Sequence, residues 1–446
     1  MASHVIDSVL FKDLFGSEEM RQVFSDESLV QRWLDVEAAL ARAEARLGII
    51  PKEAADEITR KARVQYMDLA EIKRQIDATY HPIVPLIRVL QRACAGEAGE
   101  YIHWGATTQD IMDTAAILQL KEAHALISGG LREIAEVLRG LAAKHKDLVM
   151  MGRTHGQHAL PITLGYKIAV WLSEVARHQE RLEQCRGRVL VGQFAGAVGT
   201  LASLGERGLE VQRLMMEDLG LAVPLIAWHT ARDGLAEFVG ILGMVTATLG
   251  KVAKEVATLQ RSEIGELEEP FAPGKVGSST MPHKRNPMIC EAVVAAAKIV
   301  RHNAPLALDA MGQEHERDMG PWQTEWEFIP ETCILASGAL RQMLMVLKGL
   351  VVRPDNMARN LDLLQGLPLS EAVMLRLAQK VGRQRAHDLV YDASMTAFSQ
   401  NRPLRDVLLA DPRLRSYLAA EDLDALLDPR AYTGLASHFV DRVLAR

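Results

Sequence analysis

Residues 238–259 read FVGILGMVTATLGKVAKEVATL. Leu242, Val245, Leu249, Val252, Val256 and Leu259 recur at spacings of 3, 4, 3, 4 and 3. At 3.6 residues per turn this draws one apolar stripe along a helix, a heptad seam for partner helices. The periodicity extends over 232–268, and at 1.5 Å per residue such a helix runs to about 55 Å. Residues 111–146 and 160–188 also read as long helices, the second through LGYKIAVWLSEVARHQERL. Helices of this length bury their stripes against one another in a bundle. The expected fold is therefore mainly α, with a central bundle region over 110–354.

Shorter helical segments flank that region, over 1–109 and 355–446. In the first, LVQRWLDVEAALARAEARLG ends at Gly48 with Pro51 just beyond, a helix stop. In the second, NRPLRD and DPRAYTG punctuate short helices. No strand–helix alternation is visible. Composition agrees: 48% of residues are apolar, enough for a sizeable core, and only 5% are aromatic.

Charge and cysteines exclude several roles. A net charge of −6 gives no electrostatic reason to expect nucleic acid or an anionic membrane. No uninterrupted apolar run reaches about 18–20 residues, so no membrane span is expected. MASHVIDSVLFKD lacks a basic start followed by an apolar run, so a cytoplasmic protein is expected. Cys94, Cys185, Cys290 and Cys333 form no C-x-x-C pair, which argues against a disulfide framework and a thiolate metal site. GQFAGAVGT (192–200) fits neither glycine-rich nucleotide motif and reads as a tight turn or close helix approach. No cofactor or metal is expected.

Three polar patches break the helical pattern. In HWGATTQD (103–110), Thr107 and Thr108 precede a strong helix, with Asp110 three residues after Thr107. That is a capping box with Asp in place of Glu; the same hydroxyls and free N–H groups also suit a carboxylate ligand. In GRTHGQHALP (152–161), His155 and His158 stand between two long helices. They read either as hydrogen-bonded junction residues or as an acid or base near neutral pH. In GSSTMPHKRNP (277–287), serines precede His283, Lys284 and Asn286. This is either a solvated connection or an anion site carrying a reactive hydroxyl. Residue types alone suggest an anion site with acid–base groups.

GSSTMPHKRNP resembles the signature of the fumarase/aspartase superfamily, and the other two patches resemble that superfamily's further substrate-contact segments in the same order. The resemblance spans essentially the whole chain. It implies three helical domains and a homotetramer whose active sites are each assembled from three subunits. It also implies anti elimination across a succinyl unit, usually releasing fumarate, on a small dicarboxylate or tricarboxylate. Carried over by position, Ser278 is the base, and His283 and Lys284 help to lower its pKa. Lys284 and Asn286 bind carboxylates together with Thr107, Thr108 and Thr154. His155 acts at the leaving group and Glu291 orients it. His81, in TYHPIVP, serves the same side, and either histidine could be the acid. Gln193 and Arg232 are weaker substrate-binding candidates.

Two subfamilies divide the sequence. HERDMGPWQTEWEFIP (315–330) and WHTARD (228–233) resemble 3-carboxy-cis,cis-muconate cycloisomerase, whereas the pairing of His81 with His155 resembles adenylosuccinate lyase. Where the latter holds a nucleotide phosphate, this chain has Trp322 and Trp326, and the Arg-Tyr pair near its N-terminus is replaced by Leu14-Phe15. Losing charge-assisted phosphate contacts is costly. The expectation is C–N cleavage of an N-substituted aspartate without a phosphate, with the cycloisomerase as the alternative. A crystallin-like structural role is remote, because Ser278, His155, Lys284 and Glu291 are all present.

Overall fold

The structure, a computed structural model, describes residues 4–271, 274 and 277–446. The chain divides into two compact units. One comprises residues up to Arg132, Arg177–Gly250 and Ala292–Gln342; the other comprises Glu133–Ala176, Lys251–Glu291 and Met343–Arg446. Among the described residues, the long helices are Thr108–Lys144, Leu164–Val189, Asp233–Leu259, Met288–Asp309 and Met319–Lys348. All six residues of the heptad seam are at most 2% exposed. By length and composition the Asp233–Leu259 helix could cross a membrane, which the sequence reading did not anticipate: an 18-residue window has mean hydropathy 1.5. That window is 67% buried within the chain, as in the core helix of a globular protein.

In the first unit, the Asp26–Arg46 helix starts at Ser25, whose hydroxyl accepts a hydrogen bond from Ser28 N at 3.2 Å. It ends just before Gly48, which adopts the left-handed φ of +63° at the expected stop. Its inward face buries Trp33, Leu34 and Leu40, and also Glu37 and Glu44.

In the second unit, the helices after residue 354 pack around Val373, Leu377, Leu389, Leu404, Leu414 and Leu423. The sequence reading placed 152–161 at a junction of two helices and gave 160–163 to the second helix. The structure corrects this. Val149–Thr154 and Gln157–Thr163 pair as an antiparallel hairpin. His155 (φ 51°) and Gly156 (φ 75°) are successive left-handed residues, a two-residue turn whose twist matches flanking strands and which no helix can contain. A second small sheet pairs Leu267–Glu268 with Val351–Val352, just ahead of the segment that leads to Ser278.

Candidate active site

In the first unit the site is organised by one buried carboxylate at the start of the Thr108–Lys144 helix. Asp110 Oδ2 accepts from Thr107 N at 3.0 Å and Gly196 N at 2.9 Å. Its Oδ1 accepts from Ala195 N at 3.0 Å and lies 2.8 Å from His229 Nε2. Three sequence segments therefore meet on Asp110: HWGATTQD, the glycine-rich 192–200 stretch and WHTARD. The capping role of Asp110 is real, and it leaves the Thr108 hydroxyl free to face His81 Nε2 at 3.2 Å.

His81 Nδ1 accepts from Val84 N at 3.3 Å, so the neutral ring carries its proton on Nε2, toward Thr108. Burial, helped by nearby His103, lowers the His81 pKa. His103 goes the other way. Burial pulls its pKa down, but Glu37 and Asp110 outweigh this and raise it. His103 Nδ1 lies 2.6 Å from Glu37 Oε1. Two histidines in electrostatic contact are thus pushed apart, one toward neutral and one toward cationic. The sequence reading gave His103 no role. Its partner lies 66 residues away, and its left-handed φ of 64° leaves no local trace.

Gln193 is fully buried. Its backbone exchanges hydrogen bonds with the Thr114 hydroxyl at 2.6 and 2.8 Å, and its Oε1 accepts from Trp228 N at 3.2 Å. Its buried Nε2 has no hydrogen-bond partner among the described residues. Arg232, the other weaker candidate, has its guanidinium turned to carboxylates of its own unit. It is 2% exposed, and all three guanidinium nitrogens are committed. Nη1 and Nη2 donate to Asp113 at 2.8 and 3.0 Å, Nε donates to Glu325 at 2.8 Å, and Nη2 also donates to Glu325. Trp322 Nε1 donates to the same Asp113 at 3.0 Å, so Trp322 is a buried part of this network. Trp326 packs edge-on against it at 5.2 Å and is partly exposed.

In the second unit, Ser278 Oγ accepts from Thr280 N at 3.3 Å and Met281 N at 3.1 Å. Two main-chain donors on one hydroxyl oxygen favour its alkoxide over its neutral form. Asn286 Nδ2 donates to Gly277 O at 2.7 Å and closes the loop on itself. His283 and Lys284 are exposed, and among the described residues Lys284 is paired with no carboxylate. A cavity of about 720 Å³ is lined by Lys254, Arg261, His283, Lys284, Asn286 and Glu291 among others. Thr154 and His155 stand exposed at the hairpin tip. Glu291, in the first turn of the Met288–Asp309 helix, is also exposed, and among the described residues no hydrogen bond joins it to His155 of the same chain. Among the described residues no group of three or more His, Cys, Asp or Glu side chains could hold a metal ion.

Residues 16–301 match a family model described as Lyase, and residues 366–443 match one described as Adenylosuccinate lyase C-terminus. N-acetyl-S-(2-succino)cysteine lyase of Dickeya dadantii is 46% identical, over 100% of this chain and 98% of its own length. 3-Carboxy-cis,cis-muconate cycloisomerase of Pseudomonas aeruginosa is 45% identical, over 99% of this chain and 97% of its own. Among solved structures, 3-carboxy-cis,cis-muconate lactonizing enzyme from Pseudomonas putida superposes with a TM-score of 0.94 at 44% identity, covering 98% of each chain. The activity is accordingly that of a lyase or cycloisomerase working on a small succinyl-type dicarboxylate. The chain belongs to the fumarase/aspartase superfamily.

Proposed function

We propose that this enzyme is a fumarate-forming lyase that cleaves a succinyl group from a nitrogen or sulfur atom of a leaving group without a phosphate. The observation that carries this reading is the contact of His81 Nε2 with Thr108 at the helix start, where superfamily resemblance places a substrate carboxylate. A histidine at that point suits a departing heteroatom. Proton delivery is assigned to His155, the residue that superfamily resemblance places at the leaving group. Trp322, hydrogen-bonded to Asp113 and buried, offers no phosphate contact.

In this mechanism Ser278 removes the proton from the carbon next to one carboxylate. The C–H electrons form the new double bond, the bond to the heteroatom breaks, and the electron pair leaves with it to be protonated through His155. Charge accumulating on the carboxylate is met by Lys284, Asn286 and the Thr107–Thr108 donors at the helix N-terminus. A sulfur leaving group demands less of the acid than an amine, because a thiol ionises near pH 8.5. The N-acetyl-S-(2-succino)cysteine named in one relative is a succinyl thioether, and N-substituted aspartates are the nitrogen counterparts. We further propose a homotetramer in which the residues of the two units are combined into sites by several copies, supplying Glu291 to His155 from another chain.

The muconate cycloisomerase reading is favoured by the 45% identity to that enzyme. A panel of S-succinyl thiols, N-substituted aspartates and 3-carboxy-cis,cis-muconate separates the two by fumarate absorbance against lactone formation. Fumarate from a succinyl compound is expected. Lactone alone would move the assignment to the cycloisomerase. Ser278→Ala is expected to lower kcat by about 10²–10⁴-fold in a folded protein, and unchanged turnover would remove Ser278 from the mechanism.

A further inference from the structure

Glu266 is fully buried in the second unit. Its carboxylate receives Arg153 as a two-pronged clamp: Nη2 donates to Oε1 at 2.7 Å and Nη1 to Oε2 at 2.9 Å. Asn360 Nδ2 adds a third bond to Oε1 at 2.8 Å. The main chain of Glu266 is fixed as well. Its N–H donates to Leu259 O at 2.8 Å, and its C=O accepts from Arg353 N at 3.0 Å.

Arg153 is a near neighbour of His155 in sequence, and Glu266 stands at the start of the stretch that leads toward Ser278. Arg153 lies two positions before His155, on the strand that leads into the hairpin turn. The strand register shifts between Met151 and Arg153, and such a bulge re-aims the side chain that follows it. Gly152 makes this close passage feasible, since a Cβ there would meet Leu160 O at 2.6 Å. Glu266 immediately precedes Leu267–Glu268 and the chain that runs on to Ser278. That root is pinned on three sides. Glu269 accepts from Ile289 N and Cys290 N at 3.1 and 3.0 Å, capping the helix that follows the loop. Gln260 accepts from Glu269 N at 3.0 Å and donates to Arg285 O at 2.9 Å. Glu268 receives Arg285 and Arg353, both at 2.9 Å.

We propose that Arg153 and Glu266 are positioning residues, a buried bidentate pair that holds the His155 turn and the root of the Ser278 loop in one rigid frame. Neither touches substrate. His155 sits on a left-handed, exposed hairpin tip, and among the described residues its side chain has no hydrogen bond, so its direction is inherited from the strand below it. Planar bidentate pairing fixes that strand in distance and angle, which a single-point contact cannot do. The inference rests on the reading that His155 and Ser278 perform the elimination.

The test uses the full-length protein with Arg153→Lys, which keeps the charge and loses the fork, and Asn360→Ala, which keeps the ion pair and removes one bond. With the panel substrate that the unaltered enzyme turns over fastest, Arg153→Lys is expected to lower kcat about 10–100-fold, the scale of a misplaced catalytic group. Any rise in KM should be smaller than the fall in kcat, because Thr107 and Thr108, outside this frame, still bind carboxylate. Asn360→Ala should fall between Arg153→Lys and the parent. Hydrogen exchange supplies a readout independent of turnover: in Arg153→Lys the amides of 154–158 and of 277–287 should both exchange faster, while those around Leu404–Leu414 do not change. An active parent with unchanged kcat in Arg153→Lys would overturn the proposal, as would faster exchange at only one of the two segments. A parent inactive on every panel compound would instead defeat the functional reading, leaving the exchange result to decide the frame.

Discussion

Glu266 and Glu44 are both completely buried, each in a different unit, and the chain treats them in opposite ways. Glu266 has three hydrogen bonds to its carboxylate and a guanidinium against both oxygens. Among the described residues neither oxygen of Glu44 has a hydrogen-bond partner. Burial, and then the like charge of Glu37, pushes the Glu44 pKa up to about 9. Glu37 and Glu44 are seven residues apart on the Asp26–Arg46 helix, two turns along the same face, which is why they feel each other. At neutral pH Glu44 is a protonated acid. Depth alone therefore does not decide what a carboxyl group does; its partner does. One glutamate holds geometry, and the other only titrates.

The largest expected effect comes from stranding Glu266. Arg153→Met leaves a buried carboxylate without its counterion and should cost about 3–5 kcal/mol of stability, read as a fall in the denaturant midpoint. Glu44→Gln should do the opposite near pH 8, because it removes a group that resists ionising. Equal losses from both substitutions would erase the contrast between the two sites.

A smaller effect is the pH dependence that Glu44 imposes. Its folded pKa lies far above the unfolded value, so the folded state holds an extra proton between roughly pH 4.5 and 9. Its contribution is fully present below the unfolded pKa and is lost as pH rises through the folded one. Across that window stability should fall by up to about 1.4 kcal/mol per pH unit. Glu44→Gln should flatten the curve of melting temperature against pH over this range. A wild-type curve already flat from pH 6 to 8.5 would contradict the assignment.

The same distinction separates what the sequence displays from what it hides. The seam from Leu242 to Leu259 and the stop at Gly48 are legible because each is a repeat or a breaker read within one stretch. Thr107, Thr108, His155 and Ser278 are legible as candidates because they interrupt such stretches. The hairpin at 149–163 is not, since its deciding feature is a left-handed histidine, a conformation that residue type does not announce. Partnerships are hidden most deeply. Arg153 finds Glu266 at a separation of 113 residues, and Arg232 finds Asp113 at 119 and Glu325 at 93. Arg232 therefore reads only as a weaker substrate-binding candidate, and the two carboxylates that pair with it leave no mark on its own segment.

The smallest predicted effect lies between Glu37 and Glu44. Replacing Glu37 with Gln removes the like charge that supplements burial at Glu44, so the Glu44 midpoint should move down by less than about one pH unit, as expected for the lesser of two causes. The same substitution takes from His103 the carboxylate that raises its pKa, and burial then acts on that ring with only Asp110 in opposition. Titration by carbon-detected NMR reads both groups in one experiment. A downward shift at Glu44 together with a downward shift at His103 is expected. No movement at either would mean that Glu37 is not the charge linking the buried acid to the histidine beside His81.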